Sequence, residues 1–108
     1  MVNTPKESEV QKGICEYLLI KHHFFFRNNN TPIWDGKGQK FRAMPKFTMR
    51  GIPDIIVIYK GNFIGIEVKR DVKSKTSPYQ DSFKEQCEKA GGTYFVACSI
   101  EDVIQQGL

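Results

Sequence analysis

Apolar residues recur along the chain in two periods, and the switches between them mark its elements. Val10, Ile14, Tyr17 and Leu18 follow helical spacing after Thr4-Pro5-Lys6-Glu7. There Thr4 can cap, Pro5 suits a first turn and Glu7 completes a capping box, so a helix is predicted to about His22. Phe24-Phe25-Phe26-Arg27 reads as a strand whose phenylalanines belong to the core. Two apolar runs then flank Lys60-Gly61-Asn62 and predict a β-hairpin, with Asp54 starting its first strand and Glu67-Val68-Lys69 near the end of its second. Ser77 caps a further helix with Pro78 in its first turn and Tyr79, Phe83, Cys87 and Ala90 as its inward stripe, and Gly91-Gly92 ends it. Thr93 to Cys98 is a last strand, and Ser99-Ile100-Glu101-Asp102 caps a short last helix. The order α-β, a variable segment over 31–50, then β-β-α-β-α predicts a small α/β sandwich with a mixed sheet.

Strand alternation sharpens the hairpin. Ile64, Ile66 and Val68 face one side, so Gly65, Glu67 and Lys69 face the other. A tight loop at Lys60-Gly61 pairs Tyr59 with Asn62 and sets Asp54 opposite Glu67. A loop at Gly61-Asn62 sets Asp54 opposite Lys69. Both put the three charges on one face, whereas a three-residue loop without a bulge would put Asp54 on the other. Two converging carboxylates make a hard oxygen site suited to Mg²⁺ or Mn²⁺, and a lysine beside them can orient a water or offset charge on a phosphate. The plainer reading is a surface Glu67–Lys69 ion pair with Asp54 capping the turn.

Composition narrows the class. The chain has 108 residues, enough for one domain with a modest core, and 40% of them are hydrophobic. No apolar run approaches a membrane span and no signal pattern opens the chain, so an intracellular, non-secreted protein is expected. Sixteen Lys+Arg against 12 Asp+Glu give +4, which permits a polyanionic partner. Cys15, Cys87 and Cys98 lie far apart in apolar surroundings and read as buried thiols, and His22-His23 read as C-terminal helix residues favoured by the dipole. Residues 31–50 interleave Trp34, Phe41, Met44 and Phe47 with Lys37, Lys40, Arg42, Lys46 and Arg50. That mixture reads either as a nucleic-acid contact surface or as a solvated loop with a few anchored side chains.

Gly51-Ile52-Pro53-Asp54, then Gly65-Ile66-Glu67-Val68-Lys69, then Ser77-Pro78-Tyr79-Gln80 together resemble the virus-type replication-repair nuclease (VRR-NUC) domain, a branch of the PD-(D/E)xK nuclease superfamily. The similarity spans nearly the whole chain, so it implies the restriction-endonuclease-like fold over residues 1–108 as a single nuclease domain. It implies hydrolysis of DNA phosphodiesters with Mg²⁺ or Mn²⁺, in a repair, recombination or phage setting. Asp54, Glu67 and the Val68 carbonyl would bind the ion, and Glu7 would reach it through water. Glu7 is favoured over Glu9 because 7, 10, 14 and 18 share a helical face. Lys69 would act on the attacking water, and Gln80, which also completes a capping box with Ser77, would contact a phosphate or a water. Arg27, Asn29, Lys40, Arg42, Lys46, Arg50, Lys73 and Lys75 are the candidate nucleic-acid contacts.

Family members made of this domain alone imply a homodimer acting on branched DNA such as four-way junctions, with Trp34 and Phe41 suited to an interface. Two alternatives stay open. One is a restriction-like or nicking enzyme on ordinary duplex, and the other a non-catalytic nucleic-acid-binding subunit.

Overall fold

A computed structural model describes residues 5–28 and 46–108. Their element order is α1 (Glu7–Ile20), β1 (Phe24–Arg27), β2 (Ile55–Tyr59), β3 (Asn62–Val68), α2 (Pro78–Lys89), β4 (Thr93–Ala97) and α3 (Ile100–Gln105). The protein is therefore α/β, with one four-stranded sheet in the order β1-β2-β3-β4. β1, β2 and β3 are antiparallel neighbours, and β4 joins β3 in parallel after the α2 crossover. The expected order of elements and the mixed sheet are both present.

The hairpin turns at Lys60-Gly61. Tyr59 pairs with Asn62 and Ile55 with Ile66, and Lys60 and Gly61 have φ of 51° and 80°, as a type I′ turn requires. Counting one residue outward sets Asp54 opposite Glu67, the first of the two registers derived from the sequence.

One face of the sheet carries Ile55, Val57, Ile64, Ile66, Val68 and Ala97, which pack with Ile14 and Leu18 of α1 and Val103 of α3 as the core. The other face carries Phe63 and Tyr94, covered by Phe83 of α2 with ring centroids 6.3 and 6.0 Å away. Helices therefore lie on both sides of the sheet, and the carboxylates come where the layers end.

Three sequence expectations need correction. Phe24 and Phe26 are 69% and 48% exposed, and only Phe25 turns toward the core. β1 is an edge strand, and a run of three phenylalanines does not say which of its faces a neighbour covers. The first helix starts at Lys6 as N-cap with no side-chain cap, so Glu7 is its first residue and completes no capping box; Thr4 lies outside the described residues. His22 and His23 lie beyond the helix. His22 takes φ 62° after the Lys21 C-cap, its N–H reaches the Leu19 carbonyl, and the His23 N–H reaches that of Leu18. This is a Schellman ending with histidine where glycine is usual. The His23 ring nitrogen Nε2 then meets the Leu108 carbonyl at 2.9 Å.

Cys15, Cys87 and Cys98 are free and half-buried, and burial pushes all three thiols up. Among the described residues no helix is long and apolar enough to cross a membrane.

Candidate active site

β2 begins at Ile55, so Asp54 stands just outside the ladder, where it would pair with Glu67. Its Oδ2 accepts the Val68 N–H at 2.8 Å, and its backbone carbonyl accepts the Asn28 N–H at 2.8 Å. The side chain thus takes the place of a strand partner and is held facing β3. Lys69 N–H donates to the Ala97 carbonyl on the opposite edge of β3. Since backbone groups alternate along a strand, the Val68 N–H and C=O both point to the Asp54 edge.

Glu67 projects from the α2 side and is 2% exposed. Its Oε2 accepts Gln80 Nε2–H at 2.9 Å and lies 3.7 Å from the Lys69 ammonium. Its Oε1 is buried and, among the described residues, receives no hydrogen bond. Burial above all pushes the Glu67 carboxyl up to about 8. The Asp54 carboxylate adds to this by repulsion and by accepting a hydrogen bond from the protonated form, Glu7 adds a little, and Lys69 opposes it.

Glu7 closes the cluster from the start of α1. One carboxylate oxygen each from Glu7, Asp54 and Glu67 lie within 4.8 Å of one another. An octahedral Mg²⁺ shell measures about 4 Å across. Three acidic oxygens at that spacing, one of them buried and without a donor, fit a hard divalent cation, and the exposed Glu7 is placed to reach it directly or through water. No second group of three metal-ligating residue types occurs among the described residues.

Gln80 serves both ends of its amide. Its Oε1 accepts the Ser77 N–H at 2.9 Å and its backbone N–H donates to Ser77 Oγ at 3.2 Å, completing the capping box, while Nε2 donates to Glu67. The cap fixes the very amide that orients the buried carboxylate.

The expected basic contacts divide. Lys46, Arg50, Lys73 and Lys75 are exposed. Asp71 Oδ1 accepts the Lys73 and Ser74 N–H groups, which orders the loop carrying the last two. Arg27 lies on the α1 side of the sheet, lining a groove of about 380 Å³ with Ser8, Gln11 and Lys12. Asn29, Lys40, Arg42, Trp34 and Phe41 lie outside the described residues.

Two features escaped the sequence reading. Tyr79, expected on the inward stripe of α2, is 53% exposed, and Ala90 is exposed too; the inward line is Gln80, Phe83 and Cys87. The phase was available, because a capping-box Gln80 aimed at the site turns Tyr79 about 100° aside. The second is Tyr94, 5% exposed, whose hydroxyl is buried and has no partner among the described residues. Burial, then the nearby Glu67 carboxylate, holds that phenol above its usual range. An orphaned hydroxyl costs about 1–3 kcal/mol, so Tyr94→Phe should stabilise the protein by about 1 kcal/mol in thermal or urea unfolding. An unchanged stability would show that a water already serves it.

No family model matches the sequence, and no curated protein matches it. Solved structures do match. One described as "VRR_NUC domain" superposes with a TM-score of 0.65 at 26% sequence identity, over 92% of this chain and 90% of its own. Another, "VRR_NUC domain protein", gives 0.59 at 24% identity, over 95% of this chain and 85% of its own. The fold is that of a VRR-NUC domain.

Proposed function

We propose that this VRR-NUC-type domain is a divalent-metal-dependent endonuclease that hydrolyses phosphodiester bonds in branched DNA, four-way junctions among them, as a homodimer. The observation that carries the reading is the convergence of Glu7, Asp54 and Glu67 beside Lys69. A module that only bound nucleic acid would gain nothing from three carboxylates that repel phosphate.

Asp54 and Glu67 would hold Mg²⁺ or Mn²⁺, with the Val68 carbonyl on the same edge and Glu7 closing the shell. The bound cation supplies Lewis-acid charge to the scissile phosphate and makes a neighbouring water more acidic. Lys69 is mostly buried with its ammonium 3.7 Å from Glu67 Oε2, where it would orient the attacking water or offset negative charge growing on an oxygen of the phosphate. Gln80 keeps Glu67 in place and presents an amide at the positive end of α2. The exposed Lys73 and Lys75 would hold the backbone of the DNA.

The test compares a labelled four-way junction with the matched linear duplex, in Mg²⁺, in Mn²⁺ and in chelator. Paired cuts near the branch point that need the metal and vanish in Asp54→Ala are expected. Equal cutting of both substrates would leave a nuclease and remove the branched-DNA preference. Tight binding without cutting in either metal would overturn the enzyme reading, and a monomer by sedimentation would overturn the dimer. Lys69→Ala should lower kcat roughly 10²–10³-fold with metal affinity kept, because the ammonium acts on charge that develops during reaction. Loss of metal binding in that variant would place Lys69 in the ligand shell's support instead.

A further inference from the structure

The Arg50–Tyr79 pair is exposed, joined by two contacts, and not needed for metal binding or for the chemistry above. The Arg50 guanidinium lies over the Tyr79 ring, 5.1 Å from its centroid, and Nη1–H donates to the Tyr79 hydroxyl at 3.1 Å. Two contacts between the same side chains fix the plane of each. Behind them the backbone is equally constrained. A Cβ on Gly51, the residue after Arg50, would stand 2.3 Å from the Tyr79 carbonyl oxygen, so the two segments touch. The next residue after Tyr79 is Gln80, whose amide holds Glu67 at 2.9 Å. The pair is therefore anchored one residue before Gln80, which holds Glu67, on one side and four residues before Asp54 on the other.

Stability does not account for it. An exposed cation–π contact contributes only about 0.5–1 kcal/mol, and Tyr79 remains 53% exposed. An open aromatic ring with a guanidinium plane against it is instead a surface on which a nucleobase stacks. Lys73 and Lys75, exposed on the ordered loop just before α2, add positive charge for a phosphate backbone in the segment leading to Tyr79. A paired base inside a duplex hides both its faces, so the surface selects a base that is out of the stack.

We infer that Tyr79 and Arg50 form a stacking site for an unpaired nucleobase beside the scissile phosphate, and hence that the preferred DNA is one whose branch point or strand end leaves a base unpaired. The inference rests on the nuclease reading for what lies next to the base, but its test does not use cleavage.

The experiment uses a branched DNA carrying one unpaired 2-aminopurine and a fully paired duplex of the same length, with Ca²⁺ in place of Mg²⁺. Wild-type protein should quench the 2-aminopurine on binding. Tyr79→Leu should lose the quenching and weaken binding of the branched DNA roughly 5- to 150-fold, with duplex binding unchanged, and Tyr79→Phe should keep both signals. Arg50→Ala should weaken both DNAs through its charge but the branched one more. Equal losses on the two DNAs, or no loss in Tyr79→Leu, would overturn the stacking site while leaving the nuclease intact. Quenching without any metal-dependent cutting would sustain the stacking site and overturn the enzyme.

Discussion

Glu67→Gln should abolish metal-dependent cleavage, by at least about 10³-fold, while making the metal-free protein more stable above neutral pH. Both effects come from one buried carboxyl. In the folded protein Glu67 is pushed up to about 8 from an ordinary value of 4.5, by burial first and then by Asp54. Between those two values the folded protein holds a proton that the unfolded chain has released, so folding takes up a proton there. The stabilisation is complete below about 4.5 and is lost as pH rises through about 8. At about 1.4 kcal/mol per unit, the loss amounts to several kcal/mol.

Thermal unfolding from about pH 5 to about pH 9 in chelator should therefore show wild-type stability falling with pH, and that fall should be much smaller in Glu67→Gln. A divalent cation competes with the Glu67 proton, so added Mg²⁺ should restore wild-type stability most strongly above pH 8, by about 2.7 kcal/mol at a hundredfold excess over Kd. It should do little for the variant. A wild-type profile that is flat in chelator would mean that water reaches Glu67 and that the carboxyl is ionised without help. A profile that falls but does not respond to Mg²⁺ or Mn²⁺ would keep the buried carboxyl and remove the metal.

How far this site could be seen in the sequence depends on which physical constraint set each residue. The hairpin was legible because two constraints agree. Alternation put Glu67 and Lys69 on one face, and either two-residue loop put Asp54 on that face too; the structure adds that the turn is Lys60-Gly61, which pairs Asp54 with Glu67. Glu7 was legible by its helical face, though the capping box offered as its plainer purpose does not form. Gln80 was legible as a cap that faces the site, but its free amide end holds Glu67, a contact that only the packing of α2 on β3 sets.

What stayed hidden depends on neighbours far away in the chain. Pro53 fills the space beside Gly65, with its Cγ 2.5 Å from where a Cβ would stand. The Pro of the Gly-Ile-Pro-Asp segment is thus a buried wedge that seats Asp54 against β3. Likewise the degree to which Glu67 is buried is a property of α2 and β4 packing over it, and local spacing carries no trace of that. The exposure of Phe24 and Phe26 follows from which strands lie at the edge, again a tertiary fact.

Gly51→Ala should be the most damaging of the small substitutions outside the carboxylates, lowering stability by about 2–4 kcal/mol. Gly51 has φ +78°, where a side chain costs about 1 kcal/mol. Its added Cβ would also stand 2.3 Å from the Tyr79 carbonyl oxygen, 2.4 Å from its carbon and 2.7 Å from the Gln80 nitrogen. Those are backbone atoms in the first turn of α2, which cannot swing aside as a side chain does, and forcing a methyl into a packed contact adds about 1–3 kcal/mol. The melting temperature should fall by roughly 10 °C or more. Relief of the clash moves the start of α2 away from β3, which draws the Gln80 amide off Glu67, so the protein that remains folded should also cut more slowly. Gly61→Ala is the matched control, since Gly61 has φ +80° with nothing within 4 Å of the added Cβ. It should lose only the conformational part, about 1 kcal/mol, with full activity. Equal losses in the two variants would show that φ alone matters at Gly51 and that α2 does not depend on it for its place beside the carboxylates.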